Sequence, residues 1–100
     1  MTTNIITAVI TAYCSCKLCC GPNAKGITAD GHKALQNYTI AIPRKYRLTT
    51  TSVQIGQTLY RGQDRTALRY DGRFDIYMSS HQAARQFGIK TQQVTIITPK

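Results

Sequence analysis

Short runs of β-branched and aromatic residues, each cut off by turn residues, set the limits on what this chain can fold into. Residues 4–13 read Asn-Ile-Ile-Thr-Ala-Val-Ile-Thr-Ala-Tyr, a composition that favours a pleated strand. Residues 38–42 form a second run, stopped by Pro43, and residues 52–55 a third, stopped by Gly56. Residues 58–60, 73–78 and 94–98 add three more. One helix is marked between the last two runs. Ser79 to Gln82 fits a capping box with Ser79 as N-cap. Residues 83–86 are good helix formers, and Gly88 is placed to end the helix in a left-handed conformation. The chain of 100 residues has no internal repeat. Six short strands and one helix near residues 80–87 predict a single mainly β domain over residues 1–100, a small barrel.

No apolar run approaches the roughly 18 residues of a membrane-spanning helix. The first 13 residues lack a basic start and a long apolar stretch. They are therefore expected to form a strand and not a secretory signal.

Charge narrows the partners. Thirteen Lys and Arg against four acids give a formal charge of +9, which points to an anionic partner. Nucleic acid, an anionic wall polymer and an acidic protein surface all qualify. Nucleic acid is disfavoured, because no helix-turn-helix, aromatic RNA motif or paired-cysteine finger is present. The acids are Asp30, Asp64, Asp71 and Asp75, and there is no glutamate. Any carboxylate chemistry must therefore run on aspartate. Asp71, beside Gly72, reads as a turn residue. Asp75 lies inside a strand run, where Asp is disfavoured, and its neighbours Phe74 and Ile76 point to the opposite face. Partial burial there would raise its pKa and make it a proton donor.

Cys14, Cys16, Cys19 and Cys20 form the pattern C-x-C-x-x-C-C. Such thiols can chelate a metal. A structural zinc site, however, usually draws its ligands from two separate segments. Adjacent Cys19 and Cys20 do not easily aim at one ion, and the nearest other soft ligand in sequence is His32. A redox pair would need a helix N-terminus, which Gly21-Pro22 argues against. Disulfides, buried thiols and a metal all stay open from the residues alone. No cofactor is expected.

The order of several pieces carries a resemblance. These are Ala12-Tyr-Cys-Ser-Cys-Lys-Leu-Cys-Cys-Gly21, Gly26-Ile-Thr-Ala29, Thr39-Ile-Ala-Ile-Pro-Arg44, Asp64 spaced eleven from Asp75 in Arg73-Phe-Asp-Ile-Tyr77, Ser80-His-Gln-Ala83 and Phe87-Gly88. Together, over residues 8–98, they resemble the three-aspartate or 3D domain, which includes the barrel of membrane-bound lytic transglycosylase A. The cysteine-rich form is most similar to bacteriophage versions. The resemblance implies a six-stranded double-psi β-barrel that cleaves peptidoglycan between N-acetylmuramic acid and N-acetylglucosamine. Asp75 matches the family's catalytic acid/base, and Asp64 matches the aspartate that holds or tunes it. Thr28 matches the Thr of a Gly-x-Thr motif that can donate a hydrogen bond near the acid. Tyr13, Tyr70 and Tyr77 are candidates for stacking on sugar rings, and Arg69 for contact with the glycan. His81 is expected on the helix surface.

The sequence departs from the family at three places, one of them the usual Pro-hydrophobic-Gly-Thr turn, which reads Arg47-Leu-Thr-Thr50. The first family aspartate falls at Ile42-Pro43, and a glycine-rich loop is replaced by Thr66-Ala-Leu-Arg-Tyr-Asp-Gly72. These departures favour an alternative, a non-catalytic virion component such as a tail or plug module that binds other virion proteins. Either protein would be made in the host cytoplasm. It would reach the wall or periplasm through a pore made by another protein, or as part of a virion.

Overall fold

The computed structural model describes residues 1–15 and 26–99. Its elements, in chain order, are β1 (Thr2–Tyr13), β2 (Thr39–Ile42), β3 (Ser52–Ile55), β4 (Thr58–Arg65), a 3-10 turn (Leu68–Tyr70), β5 (Phe74–Tyr77), α1 (His81–Phe87) and β6 (Lys90–Thr98). The strands close into a barrel in the order β1-β5-β2-β4-β3-β6. Pairing is mixed. β1–β5 and β2–β4 are parallel, and the remaining neighbours are antiparallel. The fold is thus mainly β, a closed six-stranded mixed barrel with one short helix. Among the described residues, no helix is long and apolar enough to cross a membrane.

Alternation builds the core. Ala8 and Ile10 of β1, Val53 of β3, Phe74 and Ile76 of β5, and Val94 and Ile96 of β6 turn inward and are buried, as period-2 side chains on a closed sheet must. β2 lies between β4 and β5 and is buried along its whole length. Its one polar side chain is satisfied there. The Thr39 hydroxyl donates to Gln63 Oε1 at 2.8 Å and accepts the Leu35 N–H at 2.9 Å.

The pairing of β2 with β4 contains a bulge. Ile40 faces Gly62, but Ala41 faces Asp64, so Gln63 is the extra residue. A bulge of this kind re-aims the side chains beyond it. Gly62 sits where the bulge begins and has no room for a side chain. A Cβ there would lie 2.6 Å from Ile42 Cδ1 and 3.1 Å from the Thr51 carbonyl oxygen.

Three local expectations are corrected. The fourth strand does not stop at Tyr60 but runs to Arg65, because pairing with β2 overrides the weak strand propensity of Arg61-Gly-Gln-Asp. The helix cap is Ser80 and not Ser79, with the Ser80 side chain accepting the Ala83 N–H at 3.2 Å. Ser79 instead donates its N–H and its hydroxyl to Gln36 Oε1, at 2.8 and 2.6 Å. Gly88 ends the helix at a φ of 72° as a glycine can, but its ψ of −143° is not that of a left-handed helical turn.

Candidate functional site: two aspartates across four strands

The site is a row of residues running across the sheet. Thr11 of β1 pairs with Asp75 of β5, Asp75 with Ala41 of β2, and Ala41 with Asp64 of β4. All four line a cleft of about 780 Å³, a size that suits a small ligand or a short segment of polymer. Two strand spacings separate the two aspartates, which places their backbones roughly 10 Å apart. The small side chain of Ala41 leaves the space between the carboxyl groups open.

Asp75 is the perturbed acid. Burial against the barrel wall is the main cause, and it pushes the carboxyl up from its usual value to about 6. The Thr11 hydroxyl, which donates to Oδ1 at 3.1 Å, works against that rise. The negative charge of Asp64 adds to it, and the Arg73 guanidinium opposes it. A carboxyl of this kind is half protonated near pH 6, which is what a group that both gives and takes a proton requires.

Asp64 is held by three donors. The Tyr13 hydroxyl donates to Oδ2 at 2.9 Å, and the N–H groups of Ala29 and Arg65 donate to Oδ1 at 3.1 and 2.9 Å. The carboxylate is thereby fixed from β1, from the loop before β2 and from its own strand.

The cleft rim is cationic and aromatic. Arg69 and Arg73 place their guanidinium carbons 5.0 and 4.6 Å from the centre of the Tyr70 ring, within the range of cation–π attraction. Arg65 also lines the cleft and donates to the Pro43 carbonyl at 2.6 Å. The other two acids lie outside the cleft lining, and each has a basic partner among the described residues. Asp30 pairs with His32 at 2.9 Å and Asp71 with Arg44 at 3.5 Å. On the cleft wall, the buried Thr66 hydroxyl has no hydrogen-bond partner among the described residues.

The structure therefore brings Asp75, Asp64, Tyr13, Arg69 and Tyr70 to one cleft. It places two candidates elsewhere. The Thr28 hydroxyl is committed to a turn, 2.5 Å from Asp30 Oδ1 and accepting the His32 N–H at 3.0 Å. It is the backbone N–H of the next residue, Ala29, that meets an acid of the site. Tyr77 is buried, packs edge-on against Tyr13 with ring centres 5.5 Å apart, and has its hydroxyl 3.1 Å from Ser15 Oγ. Cys14 is buried at the end of β1, while Cys16, Cys19 and Cys20 lie outside the described residues. Sequence reasoning missed Thr11 and Arg73. Thr11 stands two residues before Tyr13 on β1 and therefore on the same side of that strand, and Arg73 immediately precedes β5, two residues before Asp75.

No protein-family model matches the chain, and comparison with curated proteins finds no matching relative.

Proposed function

We propose that the protein is a peptidoglycan-cleaving lytic transglycosylase of phage type, with Asp75 as its single general acid/base. The observation that supports this most is the Asp75 carboxyl, partly buried in an open cleft and titrating near pH 6, with a second carboxylate held at the far side. In the proposed reaction, protonated Asp75 gives its proton to the glycosidic oxygen as that bond breaks. The resulting carboxylate then takes the proton of the muramic acid C6 hydroxyl as its oxygen bonds to C1. The product is a 1,6-anhydro sugar, and Asp75 ends protonated as it began. No water and no carboxylate nucleophile is consumed, unlike hydrolysis by a carboxylate pair. The Asp64 charge raises the proton affinity of Asp75 and so favours the donor form. The rim arginines suit the carboxylates that peptidoglycan carries.

Purified protein mixed with peptidoglycan between about pH 4 and pH 8 should release 1,6-anhydromuropeptides, read by mass spectrometry. Absence of release across that range removes the enzymatic reading.

A non-catalytic virion module is the second reading, and one observation favours it. Residues 2–9 of β1 pair with β6 on one edge, while the β5 pairing begins only at Ile10. Among the described residues, the other edge of that half-strand has no strand partner. Such an edge is a template for adding a strand from another chain. Recovery of the protein in purified virions, with no anhydro product from wall digests, would favour this reading.

A further inference from the structure

The segment 66–73 joins β4 to β5, the two strands that carry Asp64 and Asp75. It therefore crosses the end of β2, which lies between them, and it lines the cleft there with Arg69, Tyr70 and Arg73. Backbone hydrogen bonds shape it. The N–H groups of Tyr70, Asp71 and Arg73 donate to the carbonyls of Ala67, Leu68 and Tyr70 at 2.8, 3.1 and 3.1 Å. Asp71 anchors it from outside the cleft. Its Oδ1 accepts the Arg44 N–H at 2.9 Å and faces the Arg44 guanidinium at 3.5 Å.

The acids near this segment are already engaged. Asp71 is taken by Arg44, and Asp64 by the Tyr13 hydroxyl and two N–H groups. Among the described residues, neither Arg69 nor Arg73 has a carboxylate within ion-pair distance. The Tyr70 ring holds both guanidiniums, with their carbons 5.0 and 4.6 Å from its centre. Arg65, the third arginine of the cleft, spends a donor on the Pro43 carbonyl.

We propose, resting on the peptidoglycan reading of the cleft, that Arg69 and Arg73 form a carboxylate-binding fork that selects glycan strands carrying a free carboxylate beside the bond to be cleaved. Charge is the first argument. The lining carries three arginines against two aspartates, and the acting form of Asp75 is neutral, so the cleft is left with positive charge that a neutral sugar cannot balance. Geometry is the second. A guanidinium presents paired N–H donors that match the two oxygens of a carboxylate. Stacking on Tyr70 holds the donors before the ligand arrives, which lowers the entropy lost on binding. Position is the third. The fork spans the end of β2, and a strand lying between the two aspartates meets it there.

Peptidoglycan offers such a carboxylate from two sources. Muramic acid stripped of its peptide has a free lactyl carboxylate, and substituted muramic acid carries carboxylates on the stem peptide. Both present the same group to the arginines, and the test separates them.

The test is calorimetric binding to the full-length Asp75→Asn chain, which prevents turnover. Four soluble glycan probes of equal length are compared at low and high salt. They are a muropeptide with free stem carboxylates, the same muropeptide with those groups amidated, a peptide-stripped strand with free lactyl groups, and a neutral chito-oligosaccharide. At least one carboxylate probe should bind about tenfold or more tighter than the amidated and neutral probes. The tighter of the two names the source, and salt should weaken that binding. Adding Arg69→Gln and Arg73→Gln should abolish the preference and leave neutral binding within about twofold. Arg85→Gln on α1, an exposed arginine outside the cleft, should leave the preference intact. Circular dichroism checks each fold, and if the arginine variants unfold, the four probes on Asp75→Asn alone still decide. Equal binding of carboxylate and amidated probes, a preference that survives loss of both arginines, or no binding of any probe overturns the proposal. Cleavage without carboxylate preference removes the fork and keeps the enzymatic reading. Preference without any anhydro product from the wild type removes the enzymatic reading and keeps the fork.

Discussion

Asp64 and Asp75 face one cleft from two strands that do not pair with each other, and Ala41 of the strand between them is the register partner of both. The bulge at Gln63 makes this possible. In an unbroken ladder Ala41 would face Gln63, and a one-residue slip sends a side chain to the other face of the sheet. The bulged residue is used as well. Gln63 is buried and accepts the Thr39 hydroxyl, while its carbonyl accepts the Asp30 N–H.

The raised Asp75 carboxyl has a stability consequence with a definite sign. Its folded-state value of about 6 lies above the ordinary 3.8. Between these values the folded chain binds more protons than the unfolded one, so stability falls as pH rises through that window. A gap of about two units corresponds to about 2–3 kcal/mol. Asp75→Asn removes the buried charge and should therefore stabilise the protein by up to that amount at pH 7. At pH 3, where both states are protonated, the two proteins should match. Urea unfolding at the two pH values measures this. An Asp75→Asn protein less stable than wild type at pH 7 would contradict the burial assigned to this carboxyl.

Thr11 sets the same acid from the other side. Its hydrogen bond favours the charged carboxylate and holds the value down. Thr11→Val should raise it further, by roughly half a unit to one unit for a bond of about 1 kcal/mol. The alkaline limb of the pH–rate profile should move up with it. Arg73→Gln should move the limb in the same direction, since a positive charge is removed.

Much of the barrel was legible in the sequence, and the reasons are local. β-branched runs stopped by Pro43, Gly56 and Gly88 mark where strands and helix end. Asp75 was legible because an acid between Phe74 and Ile76 breaks strand propensity while keeping the alternation. The reach of β4 to Asp64 was not legible. Arg61-Gly-Gln-Asp has weak strand propensity, and its pairing with β2 depends on residues some twenty positions away. The helix cap slipped by one residue because Ser79 and Ser80 both satisfy the pattern. Gln36, which takes the Ser79 donors, gives no sign of that role in the sequence. Thr28 was misplaced for a related reason. Its hydroxyl serves a turn closed by Asp30 and His32, and only the fold shows that the neighbouring N–H reaches Asp64. The approach of His81 Nδ1 to Cys14 Sγ, at 3.6 Å, is a tertiary fact that no spacing rule contains.

Tyr13 tests the second aspartate. Tyr13→Phe keeps the ring that packs on Tyr77 and removes the hydroxyl that donates to Asp64. The fold should lose no more than about 0.5–1.5 kcal/mol. The proposed cleavage of peptidoglycan should fall by roughly twofold to tenfold for a lost positioning bond of that strength. A variant with full activity would show that Asp64 needs no hold from β1.

Gly62 tests the bulge. A methyl group there meets Ile42 Cδ1 and the Thr51 carbonyl, and Ile42 is fully buried. Gly62→Ala should cost about 1–3 kcal/mol as overpacking. The loss should appear as a lower denaturation midpoint with an unchanged slope. Activity per folded molecule should fall too, because the strain lies two residues from Asp64.

The most direct measurement of the central claim is digestion of peptidoglycan in heavy-oxygen water by the wild type and by Asp75→Asn, with the fold of each checked by circular dichroism. The account predicts that the wild type yields 1,6-anhydro ends that carry no solvent oxygen, and that Asp75→Asn yields none while remaining folded. Solvent oxygen at the new reducing ends, or release undiminished in Asp75→Asn, would contradict it.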